Sequence, residues 1–559
     1  MASANAAAAD MERSRVPCAA IVEEDGVERN CRGRAGLLCT ECHLVQWCSQ
    51  ECRLSHLPEH EKDCKSELAS DQWRPEWVKE NREPVFHGRE LKHVPALDVL
   101  SLSENEGADY ARRLAVSFAA AGDIRNIVHT VNALPASFNN IVNIHINHWD
   151  IDVVTRNITL LILALTDPED TEDVGDVLDC MIHVWYSAFL TPKHRDLIKR
   201  LVLPRIQPAV DATRGYTDIS KHQKTMWFGD EGCSLRIVLS GADWKPHRNR
   251  VVLAHKDDFQ RALCYQPGAS KAAVHKFRQT GVLLPFGSSQ FEYVCPNPTL
   301  FREDGTWSAM DSADPREGYS FDEIVQYIVE GCPVPPNDEY GQSYVVLRDQ
   351  LQKFRNRCRQ SKISFDATCS RVSDLADHLT EYGPKRFDRI EVSNIMDPGS
   401  LHYVSIRQTL RTVGSLLCQI NRHATVVSLF DYSVHVVQLR HEASITQELS
   451  STVTTYLPVP RDLRESIYRY DPRMYRLIVA ADLCSPWADW FDEFFQELRA
   501  EEDARNCGFN ARDTNTIVTK FPWMFEGDRN DIEGSRTKLL RMLEGRLCGG
   551  ECYVEWVRE

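Results

Sequence analysis

Apolar residues in the middle of the chain alternate between strand-like runs and helical spacing. Residues 114–121 form a short apolar run typical of a buried strand. Apolar positions then recur at helical spacing over residues 124–134, and Asp123 stands where it can cap that helix. Residues 141–146 predict a second strand and residues 153–165 a second helix. This alternation is typical of a parallel sheet covered by helices.

The same alternation returns later in the chain. Residues 387–394 predict a strand, residues 406–417 an amphipathic helix and residues 424–430 a strand rich in β-branched residues. Residues 171–202 have a helical pattern, whereas residues 210–320 are irregular and rich in Gly, Pro and Trp. We therefore expect one α/β body whose sheet is interrupted by a long insertion.

The composition shifts along the chain suggest five parts. They are a polar, disordered leader at 1–15, a cysteine-rich module at 16–65, a linker at 66–90, an α/β domain at 91–455 and a mostly helical C-terminal extension at 456–559. The leader has no basic region followed by an apolar core, so we do not expect a secretory signal. The linker interleaves tryptophans with prolines, which favours an extended segment lying on a neighbouring surface.

Composition narrows the class of function. The 559 residues include 65 Lys and Arg against 81 Asp and Glu, a net charge of −16, which argues against nucleic-acid binding. No run of about 18 apolar residues predicts a membrane-spanning helix. The chain has 19 cysteines, and those outside the N-terminal module are scattered singly. Scattered thiols predict reduced cysteines in an intracellular protein, cytoplasmic or nuclear.

The N-terminal cysteines follow the spacing of metal ligands. The pattern is Cys39-x2-Cys42-x5-Cys48-x3-Cys52-x7-His60-x3-Cys64, with Cys18 and Cys31 upstream. Eight Cys and His side chains in so short a stretch predict two tetrahedral Zn²⁺ sites, closed and structural. The module is too polar to bury a core, so metal must supply most of its folding free energy. We expect chelation to unfold this module and to leave the body folded.

This module resembles a MYND-type zinc finger. The resemblance implies that the first and third ligand pairs share one zinc ion and that the second and fourth pairs share the other. The first set is Cys18, Cys31, Cys48 and Cys52, and the second is Cys39, Cys42, His60 and Cys64. Twelve residues separate Cys18 from Cys31 where the family has CxxC. His43 and His56 are the alternative ligands.

The resemblance also implies a role in protein interaction. MYND fingers dock short proline-containing motifs of partner proteins. In this sequence Trp47 stands in place of the family's Tyr, Arg53 in place of Gln and Leu57 in place of Trp. The Gln and Trp positions line the docking face in the family, so these changes affect peptide docking and leave the metal sites intact.

The segment after the linker resembles a second family. Val94-Pro-Ala-Leu-Asp, Ala121-Gly-Asp-Ile-Arg-Asn and Arg156-Asn157 look like a domain of unknown function that fungal MYND proteins carry directly after the finger. That domain is similar to the N-terminal half of an axonemal dynein assembly factor. Residues 387–395 and 421–430 look like later parts of the same architecture.

A strand followed by Gly122 and Asp123 is also how a Rossmann-like fold begins. Methyltransferases that use S-adenosylmethionine place glycines at this turn and an acidic residue after the second strand. Gly122, Asp123 and Asp150 are therefore the candidate cofactor residues. The Cβ atoms of residues 119–121 stand where a cofactor would need room, so we favour a tight turn with a helix cap. Asp388 and Asn394 flank a later strand and are candidates for positioning a substrate amine, although we favour polar loop residues that cap the strand.

The sequence thus predicts an α/β protein with a Rossmann-like (methyltransferase-like) body and an N-terminal two-zinc, cross-braced MYND finger. We expect an interaction or assembly protein with structural zinc and with protein partners bound through the finger. The alternatives are a methyltransferase and a pseudo-enzyme of that fold. We assign no catalytic residue and no small-molecule ligand.

Overall fold

The computed structural model describes residues 16–24, 26–70, 72–84, 94–166, 174–213, 221–229, 232–240, 243–244, 260, 263–264, 268–300, 314–319, 324, 334–382, 386–400, 402–441, 452–459, 471–544 and 547–559. The strands are β1 Ile21–Glu24, β2 Val27–Asn30, β3 Leu37–Leu38, β4 Gln46–Trp47, β5 Leu114–Phe118, β6 Val142–His148, β7 Phe189–Leu190, β8 Lys221–Phe228, β9 Cys233–Ser240, β10 Cys295–Pro296, β11 Ile363–Cys369, β12 Arg389–Glu391, β13 Thr425–Phe430, β14 Phe509–Ala511 and β15 Cys552–Arg558.

The α-helices are α1 Gln50–Cys64, α2 Glu76–Lys79, α3 Arg125–Ala133, α4 Ile151–Leu165, α5 Val174–Tyr186, α6 Pro192–Leu201, α7 Leu203–Ala212, α8 Ser270–Thr280, α9 Glu339–Gln360, α10 Leu375–Tyr382, α11 Ile406–Gly414, α12 Ser433–Arg440, α13 Thr454–Tyr456, α14 Pro472–Leu483, α15 Trp487–Glu497, α16 Ala500–Arg505 and α17 Ile532–Glu544. Short 3₁₀ helices cover Glu67–Ala69, Pro315–Gly318 and Val372–Asp374.

A nine-stranded mixed sheet dominates the described part of the chain. Its order is β14-β15-β13-β12-β5-β6-β11-β9-β8. Neighbouring strands from β13 to β9 run parallel. At the two ends, β15 and β8 run antiparallel to their inner neighbours. The protein is therefore mixed α/β with a parallel-rich sheet, as the alternating pattern predicted.

The predicted strands and helices near the centre of the sheet are present. β5, β12 and β13 lie inside the predicted strand ranges, and α3 and α11 lie inside the predicted helix ranges. β6 extends two residues past its predicted end, and α4 begins two residues before its predicted start. The helical pattern of residues 171–202 is divided between α5 and α6, because Thr191 caps a new helix with its side chain.

Within the nine-stranded sheet, β11 and two further strand pairs were not predicted from the sequence. The irregular middle contains the β8–β9 hairpin, which extends one end of the sheet. β14 and β15 extend the other end, because β15 pairs with β13. Residues after position 455 thus complete the sheet of the body, which the predicted boundary there does not anticipate.

Buried apolar residues form large clusters around the sheet. One cluster joins β5, β6 and β11 to the helices α3, α4, α5 and α9, and it includes residues of the N-terminal module. A second cluster lies around β12, β13, α11 and α15. The linker lies on this body, since Trp73 and Trp77 are buried in the first cluster. Within the described ranges, no helix is both long and apolar enough to cross a bilayer.

Candidate metal centres and the crevice of the sheet

The first candidate metal centre joins Cys18, Cys31, Cys48 and Cys52. Their Sγ atoms all lie within 4.8 Å of one another. The Cys31 Sγ is 3.7 Å from that of Cys48 and 3.8 Å from that of Cys52, and the last two are 3.4 Å apart. The amides of Cys48 and Gly33 donate to the Cys18 and Cys31 sulfurs at 3.3 and 3.4 Å. Such N–H donors stabilise thiolates.

The second candidate centre joins Cys39, Cys42, His60 and Cys64. The Cys39 and Cys64 Sγ atoms are 3.9 Å apart. The His60 Nε2 lies 3.3 Å from the Cys39 Sγ and 3.6 Å from the Cys42 Sγ. The Leu44 amide donates to the Cys42 sulfur at 3.4 Å.

Helix α1 carries ligands of both centres. Ser49 caps the helix by accepting a hydrogen bond from the Cys52 amide, and Cys52 belongs to the first centre. His60 and Cys64 are four residues apart, so they share a helix face and point together into the second centre. The two centres are cross-braced because their ligand pairs alternate along the chain: the first and third pairs form one centre, and the second and fourth pairs form the other.

The distances in both clusters fit a tetrahedral Zn²⁺ ion. Zn–S bonds of about 2.3 Å and Zn–N bonds of about 2.0 Å imply S···S edges of about 3.8 Å and N···S edges of about 3.5 Å. The S···S distances given above are 3.4 to 3.9 Å. A disulfide would bring two sulfurs to about 2.05 Å, and these cysteines are free. Each cluster already offers four protein donors, so both sites are closed.

The protonation of the second cluster also fits a cation. Burial, with the neighbouring Cys39, raises the pKa of Cys64 to about 11, and burial raises the pKa of Cys42 further. Burial lowers the pKa of His60, which favours the neutral ring that ligates metal. Thiols crowded in this way resist ionisation until a divalent cation offsets their charge.

The two alternative ligands lie outside both clusters. The His56 Nδ1 accepts a hydrogen bond of 3.1 Å from the Trp47 indole. His43 has a left-handed backbone, with φ of 52°, in the turn between Cys39 and Leu44. The structure therefore brings together the eight side chains that the MYND resemblance implies and neither of these two histidines.

The cysteine-rich module is docked on the body. Asn30 donates to the Gly287 carbonyl at 2.8 Å and accepts from the Ser289 amide at 2.7 Å. Asn337 donates to the Cys42 carbonyl at 2.8 Å. Sequence reasoning missed these contacts, because a single asparagine carries no signal for a partner more than 250 residues away.

The candidate cofactor residues lie at the carboxyl ends of β5 and β6 and already have partners in the chain. Asp123 accepts from the Arg125 amide at 2.9 Å and forms an ion pair with the Arg125 guanidinium at 2.8 Å. Asp150 caps α4 by accepting from the Asp152 amide at 2.9 Å. A Cβ on Gly122 would contact nothing within 4 Å, so this glycine borders open space.

The turn after β5 differs from the expectation in one respect. Ala119 and Ala121 are buried in the two apolar clusters, so their Cβ atoms point into the cores and do not crowd the crevice. Asn394 does lie at the carboxyl end of β12, where its amide donates to Asp431 at 3.2 Å.

Comparison with known proteins gives one match. Residues 91–190 match a protein family described as a domain of unknown function (DUF4470). The match begins at the predicted end of the linker and covers β5 through β7. No curated protein and no solved structure matches the chain. The match agrees with the expected domain of unknown function after the linker, and the Cys/His clusters precede it in the chain.

Proposed function

We propose that this protein is a zinc-dependent interaction or assembly protein, in which a MYND-type finger with two structural Zn²⁺ ions is fused to a Rossmann-like body. One observation carries the structural role: each cluster contributes four protein donors within 4.8 Å. A catalytic zinc site keeps one position for water or substrate, and neither cluster leaves one.

The surface of the finger supports a role in binding partner proteins. Leu37, Leu38 and Leu54 expose 42%, 37% and 66% of their surface. Such exposed apolar area is what a partner protein can cover, and contiguous patches of it mark interaction sites. The DUF4470 match favours the fungal-type arrangement of finger and body, in which the finger is the docking element.

A substitution on this surface tests the interaction role. Leu54→Glu changes a side chain that is mostly exposed, so the metal sites should stay intact. Affinity purification of the full chain, with quantitative mass spectrometry, should find at least one partner lost with Leu54→Glu and kept with Ser55→Glu. Identical partner sets for wild type and Leu54→Glu, at equal zinc content, would argue against docking through this face.

The topology of the sheet favours one second candidate, an S-adenosylmethionine-dependent methyltransferase. Leaving out the β8–β9 hairpin, the parallel strands numbered along the chain lie in the order 3-2-1-4-5. This order is typical of Rossmann-like sheets, which bind ligands where the order reverses, here between β5 and β12. The antiparallel β15 beside β13 is also typical of the methyltransferase variant.

The candidate cofactor residues argue against that activity. Asp123 is neutralised by Arg125, and Asp150 is used as a helix cap. Neither carboxylate is therefore left to bind the ribose hydroxyls of the cofactor. Calorimetric titration with S-adenosylmethionine should be flat to about 1 mM, a bound of roughly 4 kcal/mol. Micromolar binding that Asp150→Ala abolishes would favour the methyltransferase instead.

A further inference from the structure

We propose that the crevice beside the amino end of α3 binds an oxyanion, the phosphate or carboxylate group of a small ligand, through Arg156 and Tyr186. This inference is independent of the zinc finger and of its partners. It concerns the edge of the sheet where the order of the parallel strands reverses.

The Arg156 guanidinium lies at this edge of the sheet, within electrostatic reach of Asp123 and Asp150. Its Nη2 donates to the Gly122 carbonyl at 2.9 Å, which holds the guanidinium at the turn after β5. Its Nε is shielded from solvent and has no hydrogen-bond partner in the described part of the chain. None of the described carboxylates forms an ion pair with it. Burial is the main reason why the pKa of Arg156 lies below its usual value, and a bound anion would reverse that effect.

Tyr186 supplies a second donor nearby. Its hydroxyl is shielded from solvent and has no hydrogen-bond partner among the described residues. It lies beside the Arg125 side chain and Gly318, where an added Cβ would be 3.2 Å from the hydroxyl oxygen. Tyr186 and Arg156 are close enough to affect each other's charge. Burial raises the pKa of Tyr186 well above its usual value, so the hydroxyl stays protonated and able to donate.

The surroundings favour an anion over a cation. The nearby carboxylate of Asp123 is neutralised by Arg125, and that of Asp150 accepts from the Asp152 amide. The space around Gly122 is open and adjoins the amino end of a nine-residue helix, where the helix dipole favours negative charge. Guanidinium and phenol donors are the groups that proteins use for phosphate and carboxylate.

Titration of the zinc-loaded full chain with inorganic phosphate and with malonate tests the proposal. The titrations are followed by thermal unfolding at constant ionic strength, because screening alone shifts stability. We expect a saturable rise of the midpoint with at least one of the two anions, since a ligand of the native state stabilises it. The anion that saturates at the lower concentration identifies phosphate or carboxylate as the preferred group.

Substitutions connect the effect to the crevice. Arg156→Gln should weaken binding by about tenfold or more, and Tyr186→Phe by about threefold to tenfold. Arg156→Lys keeps the charge and loses the planar guanidinium, so its affinity for the anion should lie between those of wild type and Arg156→Gln. It also serves as a second variant if Arg156→Gln does not fold. Arg195→Gln, at an exposed position on α6, is the matched control and should bind as wild type. The absence of saturable stabilisation by both anions, or stabilisation that survives Arg156→Gln and Tyr186→Phe, would overturn the proposal.

Discussion

The side-chain amide of Asn337 donates a hydrogen bond of 2.8 Å to the carbonyl oxygen of Cys42. Cys42 belongs to the second metal cluster, and Asn337 stands just before α9 in the body. The backbone amide of Asn337 donates a second hydrogen bond, of 3.0 Å, to the His43 carbonyl. Leu44 and Val45 share a buried apolar cluster with the central strands. The finger and the body are thus packed as one unit.

Metal removal should therefore destabilise the body as well as the finger. The sequence alone predicts that chelation leaves the stability of the body unchanged, and the docking of the finger on the body changes that prediction. Chelator treatment should lower the unfolding midpoint of the full chain, because the docked finger loses the metal that holds it folded. Differential scanning calorimetry, with and without chelator, measures this. Two separate transitions, with the one for the body unmoved by chelator, would show that the two parts fold independently.

Asn337→Ala should weaken the docking without touching a ligand. It removes the hydrogen bond to Cys42 but keeps the one from the backbone amide, so we expect a loss of about 1 kcal/mol in unfolding free energy. Urea denaturation measures it. Zinc content should remain that of the wild type, and a loss of zinc in this variant would mean that Asn337 shapes the metal site itself.

Two glycines near the first cluster form a matched pair for substitution. A Cβ on Gly33 would overlap the Cys48 Sγ and lie 2.7 Å from the Cys48 Cβ, whereas a Cβ on Gly36 would contact nothing within 4 Å. Gly33→Ala should therefore release one metal ion per chain, and Gly36→Ala should keep both. Equal zinc content in the two variants would contradict the described geometry of the first cluster.

The two Cys/His clusters were predictable because their signal is local. The residues from Cys39 to Cys64 form one turn followed by one helix. In α1 the spacing of four residues places His60 and Cys64 on the same helix face. Four of the central strands, β5, β6, β12 and β13, were also predictable, since a strand pattern there precedes or follows an amphipathic helix. The central strand β11 was not predicted. The edges of the sheet were not, because β15 pairs with β13 across more than 100 residues of chain. The direction of the Ala119 and Ala121 side chains likewise depends on packing that no spacing reveals.

The carboxyl group of Asp431 should make stability depend on pH. Burial, with the nearby Asp397, raises the pKa of Asp431 to about 7, against about 3.9 for an unfolded Asp. The folded state holds this proton more tightly, so its contribution is complete below about pH 4 and is lost as the pH rises towards 7. Asp431→Asn should remove that loss and stabilise the protein at pH 8 relative to pH 5 by on the order of 1–2 kcal/mol.

Denaturant titrations of wild type and Asp431→Asn at pH 5 and pH 8 measure this difference. Asp513→Asn, at an exposed position, is the control and should show no such gain. A variant whose stability difference from wild type is the same at both pH values would rule out Asp431 as the titrating group.

The metal content of the purified full chain tests the central claim most directly. Eight ligands in two closed sets of four predict two zinc ions per chain by elemental analysis. Cys42→Ser should reduce the value to about one, because it breaks only the second set, and Cys42→Ser with Cys31→Ser should reduce it to near zero. A wild-type value near one or zero, or a value of two that survives Cys42→Ser, would contradict the assignment of two independent structural zinc sites.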